Sequence, residues 1–139
     1  METIVFPDPV ELAIDALTAG LAEAGDDARV GAKIPAASRW ITITLIDTEV
    51  RDIVVQRSIL RVACQVGDGP TAKKDAQALA QLVRAILGSI QGTQQAGTTV
   101  YKVTDVHLAD DPDQITGLNR VTFNVAISLR GTAVVLGVS

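Results

Sequence analysis

At 139 residues the chain is long enough for one domain with one core and too short for two ordinary ones. With 47% hydrophobic and 20% charged residues it is no disordered polymer. Its 16 acidic against 12 basic residues leave a formal charge of −4, which argues against gripping DNA through the phosphates, since that affinity comes from a basic excess.

No stretch approaches the roughly 20 apolar residues that cross a bilayer. The start, METIVFPDPVE, lacks the basic region of a secretion signal. The single Cys64 can form no internal disulfide, so the expected place of folding is a reducing cytoplasm, with no membrane involved.

FPDPVELAIDALTAGLAEAG opens with a helix signal. Asp8 caps the free amides, Pro9 suits the first helical position, and Glu11 lies three residues after the cap. Val10, Ala13, Ile14, Leu17, Leu21 and Ala24 recur at helical spacing, Gly25 ends the run, and Phe6 is placed to pack on the first turn. DDARVGAKIP follows as a short edge strand at best. In RWITITLID, Ile41, Ile43 and Leu45 share one parity and Thr42 and Thr44 the other, the pattern of a half-buried strand. RSILRVACQVG repeats it with Leu60, Val62, Cys64 and Val66 inward. Between them, TEVRDIVVQ reads as a polar connection interrupted by Ile53, Val54 and Val55. Apolar residues in a connection need a partner surface.

GPTAKKDAQALAQLVRAILGSIQG predicts the second helix, its core stripe formed by Ala76, Leu79, Val83, Ile86 and Ile90. QGTQQAGTT reads as a flexible connector. VYKVTDVHL and RVTFNVAISLRG are two more strands, and in the second Val121, Phe123, Val125, Ile127 and Leu129 alternate without a break. In the first, Tyr101 and Val103 have opposite parity to Val106 and Leu108, which calls for a bulge near Thr104–Asp105 or burial on both faces. The predicted fold is therefore α+β, in the order α-β(β)-β-α-β-β, with two helices on one face of a mostly antiparallel sheet. Residues 1–131 form the single domain, and 132–139, TAVVLGVS, an apolar tail that docks either on its own domain or on another subunit.

Chemical candidates are few. HLADDPDQITG places His107, the only histidine, near Asp110, Asp111 and Asp113, but the spacing is not that of a calcium loop and no second histidine joins it. It reads as a solvated loop between antiparallel strands, with Pro112 and Gly117 as turn residues. GDGPTAKKD lacks phosphate-loop spacing, and Lys73 and Lys74 read as a solvated face. No G-x-S-x-G accompanies the one histidine, and Trp40, Tyr101, Phe6 and Phe123 make a poor base-stacking platform. Cys64 reads as a small core residue. No catalytic, metal or cofactor site is expected.

Taken together, FPDPVELAIDALTAGLAE, VGAKIP, RWITITLID, DIVVQRSILRVACQV, AQALAQLVRAILGSI, VYKVTDVHLADDPD and NRVTFNVAISLRG resemble, in order and length, the small tail terminator (tail-completion) proteins of long-tailed bacteriophages, particularly those of actinobacteria. The likeness covers about residues 4 to 131. It implies a non-enzymatic virion protein made in the host cytoplasm. Such proteins form a ring, typically hexameric, that caps the tail tube, stops its elongation and joins it to the head through the neck. The implied partners are other copies of the chain, the tube protein and the head–tail connector, with DNA passing through the lumen without sequence-specific binding. On that reading Ile53, Val54, Val55, Val134, Val135 and Leu136 are expected at subunit or partner interfaces. Asp105, Asp110, Asp111 and Asp113 are expected to line the lumen. Another neck, connector or minor tail protein would share this logic. A small ligand-binding or enzymatic α+β domain would need convergent polar groups in a pocket, for which only the His107 cluster offers itself.

Overall fold

The computed structural model describes residues 2–32, 39–52, 54–67, 69–95, 97–106 and 120–135. Asp8 starts helix α1 (Pro9–Glu23) by accepting from the amides of Val10 at 2.9 Å and Glu11 at 3.4 Å. Loss of such a cap costs about 0.5–2 kcal/mol. The helix stops at Gly25, whose φ of 74° allows its amide to bond Ala22 and that of Asp26 to bond Leu21, a Schellman closure. Leu12, Ala13, Ala16, Leu17 and Leu21 form the buried stripe. Ala24, expected within it, is instead the exposed C-cap, because the stripe rotates away from the core by then.

Six strands form the main sheet: β2 (Arg29–Gly31), β3 (Arg39–Asp52), β4 (Val55–Val66), β5 (Gln94–Gln95), β6 (Thr98–Val106) and β7 (Arg120–Arg130), in spatial order β2-β3-β4-β7-β6-β5. Among the described residues only β2 runs parallel to its neighbour; the other pairings are antiparallel. Helix α2 (Ala72–Ser89) carries the chain from β4 towards β5 and β6. Both helices lie on one face, so the α+β expectation holds. Their core joins Leu17, Leu21, Leu79, Val83 and Leu87 to Ile41, Ile43, Leu60, Val62, Cys64, Phe123, Val125, Ile127 and Leu129 of the strands.

Three departures from the sequence reading matter. The stretch TEVRDIVVQ is not a connection: Thr48, Glu49, Val50 and Asp52 continue β3, and Val55 and Gln56 already belong to β4. Its alternating β-branched residues and the Glu49–Arg57 ion pair at 3.3 Å suit a ladder better than a loop. Secondly, the irregularity in β6 falls between Val100 and Lys102 rather than near Thr104, leaving Val103 opposite Ile127 on the helix side and Val106 opposite Asn124 on the other. QGTQQAGTT, thirdly, is no plain connector but holds β5, which folds back on β6 by a turn at Gly97 (φ 75°). Two further strands, β1 (Glu2–Val5) and β8 (Thr132–Val135), pair antiparallel with each other as a separate two-stranded ribbon.

The helices meet where α1 has no side chain. A Cβ built on Gly20 would lie 2.5 Å from Cγ2 of Ile86. Overpacking costs about 1–3 kcal/mol against a helix-propensity gain of about 1 kcal/mol for Gly→Ala. Gly20→Ala should therefore lose about 1 kcal/mol in urea unfolding, by the balance of those two terms. In an Ile86→Ala background the same Gly20→Ala change should cost less, since the colliding atom is gone; an equal cost of Gly20→Ala in both backgrounds would refute the steric explanation.

Candidate assembly site

The β3–β4 hairpin outgrows the helices. Its register is regular from Arg39↔Val66 to Leu45↔Leu60, then Ile46 is the extra residue of a bulge and Asp47 pairs with Ile59. Beyond that point the arm is solvated on its β3 side: residues 44–49 are exposed, including Leu45 at 45% and Ile46 at 36%. Leu45 was expected inward with Ile41 and Ile43. It keeps their parity, but the helices end before they reach it.

At the far end of the arm the terminal ribbon joins it. Val55 pairs with Arg130, and the Gly131 amide donates to the Val54 carbonyl at 2.7 Å. The chain then leaves the main sheet and becomes β8, with Val134 opposite Thr3 and Val135 opposite Glu2 in the same molecule. Gly131 is buried at this exit, where any Cβ would strike Ile4 and come within 2.9 Å of the Phe6 ring. Phe6 thus serves the ribbon junction. A shallow hollow of about 300 Å³ opens here, walled by Ile4, Val54, Gln94, Thr98 and Arg130, and the Thr98 hydroxyl donates to the Arg130 carbonyl. Val54 and Val55 are half-buried and Val5 is 50% exposed. Four of the residues singled out as interface candidates (Val54, Val55, Val134 and Val135) are therefore brought to one end of the molecule; Ile53 and Leu136 lie outside the described residues.

The sheet face turned away from the helices carries a different chemistry. Arg57, Arg61, Arg120, Arg130 and Lys102 all fall on it by register, opposed among the described side chains on β3 by Asp47 and Glu49. Arg57 and Lys102 both flank Ser128, from either side. Arg61 donates to Asn124 at 3.2 Å and Arg130 to the Tyr101 hydroxyl at 3.2 Å, while the buried Nε of Arg120 finds no acceptor among the described residues. Ile59, Ala63 and Ala126 lie between these cations, buried yet separate from the helix-side core. Sequence reasoning missed this face. The signal was there as parity: in β4 and β7 the arginines occupy the register opposite to the apolar run.

Asp105, expected to be a lumen residue, sits at the helix-side rim of β6, 3.8 Å from Nε of Arg84. Arg84 in turn lies over the Phe123 ring at 4.5 Å, in a cleft of about 250 Å³. His107, Asp110, Asp111 and Asp113 lie outside the described residues. Among the described residues no three His, Cys, Asp or Glu side chains converge, and no helix is long and apolar enough to cross a membrane. Cys64 is fully buried, and burial pushes its thiol up from 9.0 to about 12, slightly opposed by the charge of Arg84.

No family model matches the chain, and no curated protein matches it by sequence. Its fold is found in a solved structure. A chain of the structure described as "Virion of native gene transfer agent (GTA) particle" superposes with a TM-score of 0.51 at 14% identity, over 88% of this chain and 93% of that one. At that identity the likeness establishes a shared fold, and it does so nearly end to end.

Two expectations follow from the site. Gly131→Ala should separate the ribbon from the hairpin arm, seen as faster amide exchange in residues 2–5 and 132–135 with the β4–β7 core still protected; unchanged exchange would mean that the junction tolerates a side chain. Cys64 gives a pH dependence. The unfolded thiol ionises near 9.0 and the folded one near 12, so the unfolded state binds fewer protons between those values and stability falls as pH rises through that window. Denaturation midpoints should decline above about pH 9, and Cys64→Ala should flatten that part of the profile; an identical decline in the variant would assign it to other groups.

Proposed function

We propose that this protein is a structural component of a phage-type virion: a tail terminator whose copies form a ring, hexameric by the family resemblance, on the last ring of the tail tube. The ring stops the tube from growing and gives the head–tail connector a surface to bind. DNA crosses its lumen without being held, and the protein performs no catalysis. The observation that carries this reading is the near end-to-end fold likeness to a chain of a gene transfer agent virion. The hairpin arm and terminal ribbon support it, because they gather β-branched residues at one end of the molecule beyond the helix-covered core. The one thiol that could act as a nucleophile is held protonated inside that core.

Electron microscopy of the purified protein, alone and mixed with tail tubes, tests the proposal. Rings that sit on one end of the tube and arrest its elongation are expected. Rings that bind the connector and ignore tubes would shift the protein to the neck, and a monomer that binds neither would end the virion reading. Val54→Asp with Val55→Asp should leave a folded chain with at least about tenfold weaker ring formation or tube capping, since completing the burial of two half-buried valines is worth about 1.5–3 kcal/mol together. Normal assembly by that variant would remove the hairpin tip from the interface.

A further inference from the structure

We infer that, within the ring proposed above, on which this inference rests, each copy adds its β1 strand to the β6 edge of the next and seats Val5 in the cleft beside α2. β6 is the last long strand of the main sheet, and β5 covers only its start. Gln94 and Gln95 pair with Thr99 and Thr98, and Gly92 and Thr93 bond Val100. Beyond Val100 the edge changes character. The amide of Val103 donates outwards to a side chain, Oε1 of Gln91, at 3.0 Å. Outward-pointing groups recur at every second residue of a strand, so Asp105 presents its amide and carbonyl on the same edge. Among the described residues no strand takes them up. A glutamine side chain thus stands where a neighbouring strand would.

The cleft of about 250 Å³ lies beside this edge, between Arg84, Leu87 and Gly88 of α2 and Val103 of β6, over Phe123. Helix α2 brings no side chain at Gly88, where an added Cβ would meet nothing within 4 Å. The buried Nε of Arg84 has no hydrogen-bond acceptor among the described residues, the Asp105 carboxylate lying 3.8 Å away. An apolar floor, a missing side chain and an unsatisfied donor mark a place that a further neighbour completes. The molecule itself carries a strand that fits. Among the described residues β1 pairs only with β8, so its other edge is free, and its four residues fit within Lys102–Val106. Val5 of β1 is 50% exposed, the highest value among the exposed large hydrophobics of the described residues. A strand laid on β6 at about 4.8 Å brings the side chains of one parity alongside Val103, where the cleft opens. The contact is continuous with the hairpin tip: Val5 pairs with Thr132, and the adjacent Gly131 bonds Val54. Strand addition and the burial of Val54 and Val55 therefore fall at one joint. Because the two edges differ, the contact is heterologous and repeats into a closed ring or an open helix.

The test uses the full chain, with native mass spectrometry and microscopy reading assembly and circular dichroism reading the fold. Gly88→Leu fills the cleft from the helix. It should leave the melting temperature equal or higher, because leucine favours a helix over glycine, yet weaken ring assembly at least about tenfold. Asp105→Pro removes an outward amide without touching a β6–β7 bond and should weaken assembly to a similar degree. Chains carrying Val5→Cys, mixed with chains carrying Val103→Cys under oxidising conditions, should form a disulfide-linked pair that neither variant forms alone. Cys64 is fully buried and stays out of that reaction. Rings unchanged in both Gly88→Leu and Asp105→Pro, or a mixture that yields no linked pair, would overturn this contact while leaving the ring itself in place. Gly88→Leu rings that form normally but no longer cap tubes would assign the edge to the tube protein and likewise overturn the inference. Linked pairs from a chain that never closes a ring would uphold the strand addition and count instead against the proposed function.

Discussion

The one-sided covering of the main sheet is the constraint from which the rest follows. Two helices of 15 and 18 residues can shield one face of β3, β4, β7 and β6, and the apolar parity of those strands is spent entirely on that face. The other parity must then be compatible with water or with another protein. In antiparallel sheets such a face is usually polar. Here it is polar in a particular way, with cations spread over three adjacent strands and small or aliphatic residues packed flat between them. Ile59 and Ala126 are buried on this face without belonging to the helix-side core.

The same limit shapes the hairpin arm. Where the helices stop, β3 and β4 keep pairing but lose their cover, and the Ile46 bulge falls at that boundary. A bulge adds twist and re-aims the residues beyond it: Asp47 and Glu49 are delivered to the cationic face, where Glu49 meets Arg57. The arm therefore stays soluble on its β3 side by charge and exposes aliphatic side chains mainly at the bulge itself.

Much of this was legible in the sequence, and the parts that were not share a physical cause. Periodicity found both helices because a capping aspartate, a proline at the first position and a closing glycine coincide with an apolar stripe in α1. It found β4 and β7 because their inward residues alternate without interruption. It took TEVRDIVVQ for a loop because a strand past the edge of the core has no apolar face to reveal it. It missed β1 and β5, and left open whether the tail that holds β8 docks on its own domain or on another subunit, for another reason: short strands stabilised by one partner leave almost no pattern of their own, and the partner of β8 lies at the other end of the chain. The cationic face went unread because charges were weighed as a total, where acid prevails, and not by strand parity.

The terminal ribbon carries this last point further. Two strands alone are marginal in water, and β1–β8 is tied to the main sheet through one glycine that admits no side chain, with the Gly131 amide held by Val54 and the space beside it filled by Ile4 and Phe6. That junction couples the two chain ends to the tip of the hairpin arm, so whatever fixes the arm also fixes the ribbon. Among the described residues each ribbon strand pairs only with the other, and an unpaired strand edge is a natural acceptor of a further strand. The cationic face and the ribbon thus differ in chemistry: the first presents charged side chains, the second backbone donors and acceptors. A charge contact sets which partner is met and in what orientation but contributes little once screened, whereas backbone pairing holds without choosing. Charge and backbone pairing therefore sit on separate surfaces of this chain, and a change to one leaves the chemistry of the other intact.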